Sequence, residues 1–332
     1  MASMRARWIG VMMGAAALPV ILAMGPARPA HPPATDPPAA PFGLEKRLRR
    51  HIDSLANAGG SRSRVVFTEG NRWSVGYVLG QMRRDVPSAH ADTFMVRRRG
   101  MREPQPLVNA VAVLPGQSDS LLVICAHIDA SASRDAGWGT RWSSAQAPGA
   151  DDNATGIAAM LESLTIVAHS SVKPRYTLMF IACNAEEKNP EYAGHHLGSR
   201  YVAERLKRER KNIKGVIVMD MVGWNPQKLF MPIFSTSRSA WLGRELESRA
   251  RLLRLPVTFA ADAGPCANSD NDSFDRAGIP AVLLMESCKP WRSEPSHPRN
   301  PTYHTARDLP SVVNITMLES VTGLVTSYLL KQ

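Results

Sequence analysis

The sequence predicts an α/β fold in which a mainly parallel or mixed central sheet is sandwiched between helices. Three observations predict it. Short apolar runs alternate along the chain with longer stretches of helical period, the order that builds parallel strands joined by crossover helices. The apolar runs are rich in Val, Ile and Leu without clean alternation, as in strands covered on both faces. The composition is that of an ordinary globular chain, with 44% apolar and 21% charged residues over 332 positions. It excludes a long disordered chain and a multi-span membrane protein. Four cysteines are too few for a disulfide scaffold.

Taken in order, the chain opens with Arg5 and Arg7, an apolar uncharged stretch over residues 8–24, and the small residues of Gly25-Pro26-Ala27. This reads as a signal peptide over residues 1–27, and hence as a periplasmic or secreted protein without stable membrane association. An uncleaved anchor is the alternative. Pro19 and a length slightly short for a span weaken it. Seven prolines among residues 26–41 make residues 28–43 a stiff Pro-rich linker. Residues 44–332 then form a single domain.

Within that domain, strands are expected at 107–113, 121–126, Tyr176–Cys183, 215–219 and 281–285. Helices are expected at 154–168, 199–209, 238–253 and 311–330. Asp308 stands as a cap for the last helix, with Pro310 in its first turn. Cys125 and Cys183 sit inside apolar runs and read as buried free thiols, whereas Cys266 and Cys288 lie in loop-rich surroundings and could pair. The balance of 40 Lys and Arg against 29 Asp and Glu gives +11. The basic runs at 46–50 and 97–99 read as solvated faces. No nucleic-acid module is visible, so no nucleic-acid partner is expected. With no heptad pattern, the expectation is a monomer.

Ligands of open α/β sheets bind beyond the carboxyl ends of the strands. Three predicted strands end there in metal-ligand residue types. The first ends in His127 and Asp129, two residues apart and so on one face of an extended chain. The second runs into Glu186 and Glu187, and the third into Asp220. Between them Asp151 and Asp152 open a helix, and His304 precedes the last one. Each piece alone reads as a cap, a turn or a structural hydrogen bond. Together they gather imidazole and carboxylate at one sheet edge, a mixed nitrogen and oxygen set that suits zinc. Two imidazoles disfavour calcium and magnesium.

The series HID, GADDNATG, NAEE, VMDMVG and YHTARD, at residues 127–129, 149–156, 184–187, 218–223 and 303–308, resembles the di-zinc aminopeptidases of metallopeptidase family 28. The bacterial leucyl aminopeptidases are of this kind. The resemblance spans most of the chain after about Leu44, with the five motifs in the family's order. It implies the zinc-exopeptidase fold, a phosphorylase/hydrolase-like sheet between helix layers. It also implies peptide substrates and two zinc ions per chain. His127, Asp152 and Asp220 then match the ligands of one zinc, and Asp152, Glu187 and His304 those of the other, with Asp152 bridging. Asp129 matches the carboxylate partner of His127. Glu186 matches the general base acting on a metal-bridging water. The family often has a cis peptide after the bridging residue, here Asp152–Asn153.

The chain departs from the family in two places. Residues 188–196 intervene before the Leu197-Gly198-Ser199 turn, a loop that would border the pocket. Its His195-His196 pair is read as surface or packing, with a ligand or substrate contact as the alternative. Asn271 stands where relatives usually have His, so the pocket wall would differ there. Trp224 and Asn225 could also line the pocket. The same superfamily holds glutaminyl cyclases, carboxypeptidases and an inert transferrin receptor. A cyclase, a carboxypeptidase or dipeptidase, and a non-catalytic binding protein are therefore the alternatives to a metallo-aminopeptidase. The retained His127 and paired glutamates favour the hydrolase. A body of roughly 290 residues is short for the multidomain carboxypeptidases.

Overall fold

The structure, a computed structural model, describes residues 43–294 and 297–331. The expected signal peptide, and all of the expected linker but its last residue, lie outside them. Eight strands form one sheet: β1 (His90–Val96), β2 (Gln105–Leu114), β3 (Ser118–His127), β4 (Tyr176–Cys183), β5 (Ile213–Met219), β6 (Phe230–Ser235), β7 (Thr258–Ala260) and β8 (Ala281–Leu284). Their spatial order is β1-β2-β4-β3-β5-β8-β6-β7. The central β4, β3, β5 and β8 are parallel neighbours, while β1, β2 and β6 add antiparallel pairings. The sheet is therefore mixed around a parallel centre.

Both faces of that centre are buried. Leu122, Ile124, Phe180, Ile217 and Val282 pack on one side against α1 (Leu44–Asn57), α2 (Glu69–Asp85), α4 (Gly156–Ala168), α6 (Ala240–Leu252) and α8 (Ile315–Lys331). Val123, Cys125, Ile181, Val216 and Val218 pack on the other against α5 (Leu197–Arg208) and α7 (Asn271–Ala277). One short turn, α3 (Trp138–Arg141), lies in the loop after β3. Two-sided burial is why these strands read as unbroken apolar runs.

The edges depart from the sequence expectations. Strands β1, β6 and β7 were not expected, nor were α1 and α2. Helix α1 buries a single stripe of Leu44, Leu48, Ile52 and Leu55 under an otherwise charged surface. Helix α2 starts at Thr68, whose hydroxyl accepts from the Asn71 amide at 3.3 Å. Helix α8 starts later than expected. Asn314 caps it, its Oδ1 accepting from the amides of Thr316 and Met317, and Pro310 sits in a separate short turn. Asp308 is drawn away to another task.

Cys266 and Cys288 are joined in a disulfide, and Cys125 and Cys183 are buried free thiols. The basic runs are not wholly solvated. Arg47 donates to the buried Glu162 at 2.7 Å, and Arg98 pairs with Glu191 at 2.6 Å while lying over the Phe67 and Trp142 rings. Among the described residues, no helix is long and apolar enough to cross a membrane.

Glu162 joins α4 to α1, taking Arg47 on one oxygen and His51 on the other at 3.2 Å. Burial raises its pKa, but the two hydrogen bonds outweigh burial and hold it below the ordinary value. A depressed carboxyl contributes stability above its unfolded pKa and loses it as pH falls through the folded one. Glu162→Gln is therefore expected to flatten the acid limb of a stability-against-pH curve followed by urea unfolding. An unchanged limb would remove the carboxylate from this role.

Candidate metal centre

The parallel strands deliver their ends to one edge, and the candidate ligands collect there. His127 is the last residue of β3, and Asp220 follows β5 directly. His127 Nε2 lies 3.3 Å from Asp220 Oδ1 and 3.3 Å from Asp152 Oδ1. The other oxygen of Asp152 lies 3.2 Å from His304 Nε2, which is 3.0 Å from Glu187 Oε1. Two groups result, His127–Asp152–Asp220 and Asp152–Glu187–His304, each with donor atoms within 4.8 Å of one another. Asp152 belongs to both and turns one oxygen to each.

Asp152 owes its position to an irregular turn before α4. Gly149 enters it at φ +55, where a Cβ would stand 2.2 Å from the Asp152 carbonyl oxygen. The Asp152–Asn153 peptide is cis. The Asp308 carboxylate accepts from the amides of Asp151 at 2.9 Å and Asp152 at 3.0 Å, which is the task that removes it from α8. Asn153 ties the turn to the end of β5 by donating to the Met219 carbonyl and accepting from the Met221 amide. Ala185, Met221 and His304 all have positive φ, a clustering of uncommon backbone states that marks functional sites.

Beneath the turn, the fully buried Arg64 donates to three carbonyls: Ile128 at 2.8 Å, Gly149 at 2.8 Å and Pro148. Burial lowers its pKa to about 10, and Asp308, Asp152 and Asp129 work against that shift. Arg64→Met would remove all three bonds and leave the Ile128 and Pro148 carbonyls without a donor in the interior, while Gly149 would keep the Ala154 amide. Charge-assisted bonds are each worth about 1.5–3 kcal/mol, so a loss of about 3 kcal/mol or more is expected in chemical unfolding. A loss under about 1 kcal/mol would refute this account.

Asp129 has a task besides the expected pairing with His127. Its carboxylate accepts from the amides of Glu186 and Glu187, both at 3.1 Å, and lies 3.8 Å from His127 Nδ1. The hydrogen bond at His127 Nδ1 goes to the Asp129 main-chain carbonyl, at 3.1 Å. Asp129 thus anchors the segment that carries both glutamates. Adjacent residues then diverge: Glu187 turns to His304, and Glu186 meets His196 Nε2 at 2.9 Å.

Charge is dense here. Burial raises the Asp152 carboxyl, but hydrogen bonds to His127 and His304 outweigh it and hold the group low. Burial lowers the His304 imidazole, but Glu187 and Asp152 outweigh it and raise it to about 10. Burial lifts Glu186 well above the carboxylate range; His127 opposes the shift, and the Glu187 carboxylate adds to it. Burial pushes Asp308 to about 7, against its two amide donors.

The residues fit divalent cations. Glu187 Oε1 is buried and receives no hydrogen bond, although His304 Nε2 stands 3.0 Å away. Ligands about 2.0–2.1 Å from a tetrahedral zinc stand about 3.3 Å apart, close to the spacings seen here. Imidazole with carboxylate is the donor chemistry of zinc.

Above the ligands lies a cavity of about 300 Å³, lined by Lys188, His195, His196, Met221, Met285, Trp291 and Tyr303 among others. The loop over residues 188–196 does border it, and both of its histidines reach it. Trp224 and Asn225 do not. Trp224 lies against the His297 ring, and Asn225 braces its own loop by accepting from the Lys228 amide. Asn271 is turned inward, donating to the Cys266 carbonyl at 2.7 Å, and Asn268 stands in the wall instead. Sequence reasoning missed Arg64 and the anchoring work of Asp308. Arg64 carried no local signal. Asp308 lay in plain view four residues after His304.

A sequence profile of peptidase family M28 matches residues 109–329, more than half of the chain. The chain is 28% identical to leucine aminopeptidase 1 of Chaetomium globosum over 263 residues, covering 74% of this chain and 60% of that one. It is also 28% identical to a probable leucine aminopeptidase of Trichophyton verrucosum over 209 residues, covering 60% and 50%. The chain thus spans half to three fifths of the length of these curated relatives. Among solved structures, a leucine aminopeptidase precursor from Bacteroides thetaiotaomicron superposes with a TM-score of 0.68 at 18% identity, covering 87% of this chain and 97% of that one. The glutaminyl cyclase of Porphyromonas gingivalis gives 0.69 at 18%, covering 86% and 97%. At such identities the likeness is one of fold. With the profile spanning β2 to α8 and every motif at the sheet edge, the chain belongs to peptidase family M28.

Proposed function

We propose that this chain is an exported zinc-dependent exopeptidase that removes N-terminal residues from peptides. One observation carries the reading: two ligand groups share Asp152, and a non-ligand carboxylate, Glu186, stands beside them in the cavity wall. His127, Asp152 and Asp220 would hold one zinc, and Asp152, Glu187 and His304 the other. When bound, such ions polarise the scissile carbonyl and make water a nucleophile near neutral pH. Glu186 takes the proton of the attacking water and hands it to the leaving amine. A carboxyl raised by burial is suited to both halves of that task, since it holds a proton more readily than a solvated one. Asp129 keeps Glu186 and Glu187 in register by holding their amides. Asp308 holds the Asp152 turn.

The deciding experiment is zinc content measured with activity on one sample of the mature protein. Aminoacyl p-nitroanilides, N-blocked controls and an N-terminal glutaminyl peptide form the panel. About two zinc per chain and cleavage of free-amine substrates alone are expected. One zinc with cyclisation of the glutaminyl peptide would replace the hydrolase by a cyclase. Zinc without turnover of any of these would leave a binding role.

A further inference from the structure

The loop over residues 188–196 ends by presenting an imidazole to the proposed general base. His196 Nε2 is 2.9 Å from Glu186 Oε1, and the ring is 98% buried. The approach is built by the backbone. The amides of His196, Leu197 and Gly198 donate in turn to the carbonyls of Glu186, Ala185 and Asn184, at 2.9, 2.8 and 3.0 Å. This ladder ties the start of α5 to the glutamate segment. A side chain at Gly198 would not permit it, since a Cβ there would meet the Asn184 carbonyl at 2.4 Å. His196 takes positive φ at the helix entrance, and its own carbonyl accepts from the Ser199 and Ser273 hydroxyls. The loop is pinned upstream as well. Tyr192 donates to the Glu187 carbonyl at 2.8 Å, and Glu191 pairs with Arg98 at 2.6 Å. The His195 ring meets the His196 ring edge-on, 3.9 Å between centroids.

We propose that His196 is a positioning residue for Glu186. Its Nε2–H donates to Glu186 Oε1, holding the carboxylate in one rotamer and leaving Oε2 as the oxygen that exchanges a proton with the substrate side. A buried carboxylate beside like charges has reason to swing away from them, and one directional donor on a pinned backbone opposes that. The loop would then serve to carry this donor into the site. The inference rests on the peptidase reading for its catalytic meaning, but the hydrogen bond can be tested without it.

Four proteins decide the matter, each loaded with zinc: wild type, His196→Ala, His196→Gln and Glu186→Gln. Misplacing a reacting group by about 1 Å costs on the order of 100-fold, so His196→Ala is expected to lower kcat by about 10–100-fold with KM and zinc content unchanged. His196→Gln, whose amide can donate from nearly the same point, is expected to recover most of the loss. Nitrogen-15 histidine spectra of the wild type are expected to show His196 as the Nε2–H tautomer, shifted in Glu186→Gln. The proposal is overturned by His196→Ala turning over within about twofold of wild type, since a working contact of this kind costs far more. A loss confined to KM would make His196 a substrate contact and overturn it. An Nδ1–H tautomer would overturn it too. A wild type inert on every substrate would sink the peptidase reading, while the spectra would still judge the hydrogen bond.

Discussion

Glu186→Gln is expected to lower kcat by about 10²–10⁴-fold, the usual worth of a positioned acid-base group. Glutamine keeps the shape of the side chain and can accept from His196, but it cannot take a proton from water at neutral pH. Zinc content and KM should stay close to wild type, because Glu187, the neighbouring carboxylate, is the one that faces His304. The Asp129 hydrogen bonds to the 186 and 187 amides are main-chain contacts and survive the change. Atomic absorption on the same sample used for kinetics checks both halves. Wild-type turnover at full zinc loading would remove Glu186 from the mechanism.

Asp152→Ala is expected to act differently, losing zinc and activity together. Its carboxylate reaches His127 through one oxygen and His304 through the other, so its removal strips a ligand from each group. His304→Ala, by contrast, touches only the Asp152–Glu187–His304 group and should leave the ion at His127 in place. The two variants together test the shared carboxylate. Loss of a single zinc from Asp152→Ala, with the other held as in wild type, would show that the groups are independent. Far-ultraviolet dichroism and thermal melting separate this outcome from simple unfolding, which is a real risk at a turn held by Asp308 and Asn153.

The His196 contact links these results. If it positions Glu186, the loop over residues 188–196 is part of the working site and not merely its rim. Lys188 and His195, on the same loop, then become the natural places to look for substrate preference, since both line the cavity.

Much of this protein was legible in the sequence. The centre of the sheet was, because strand segments buried on both faces must be apolar, and residues 121–126, 178–183, 216–219 and 281–284 are. The candidate ligands were legible for a related reason. Polar residues directly after such strands are costly unless they are put to use, so Asp220, His127 and the 186–187 pair stood out. The edge was not. Strand β1 is largely exposed and β7 has only three residues, so neither carries a burial pattern, while β6 is buried but contains Pro232, which argues against a strand. Helix α1 was hidden by its charges, and its apolar stripe gains meaning only against α4 and α8. The division of labour among the acids was decided by tertiary structure alone. Asp308 looks like a helix cap in the sequence and holds the Asp152 turn in space. Asp129 looks like a partner for His127 and also carries the two glutamate amides. Arg64 is far in the chain from the Asp152 turn it braces, and no local pattern records that contact; the His195-His196 pair was visible, but not the approach of His196 to Glu186. Burial leaves its mark on composition residue by residue, whereas a hydrogen bond between distant segments depends on direction and distance, which exist only once the chain is folded.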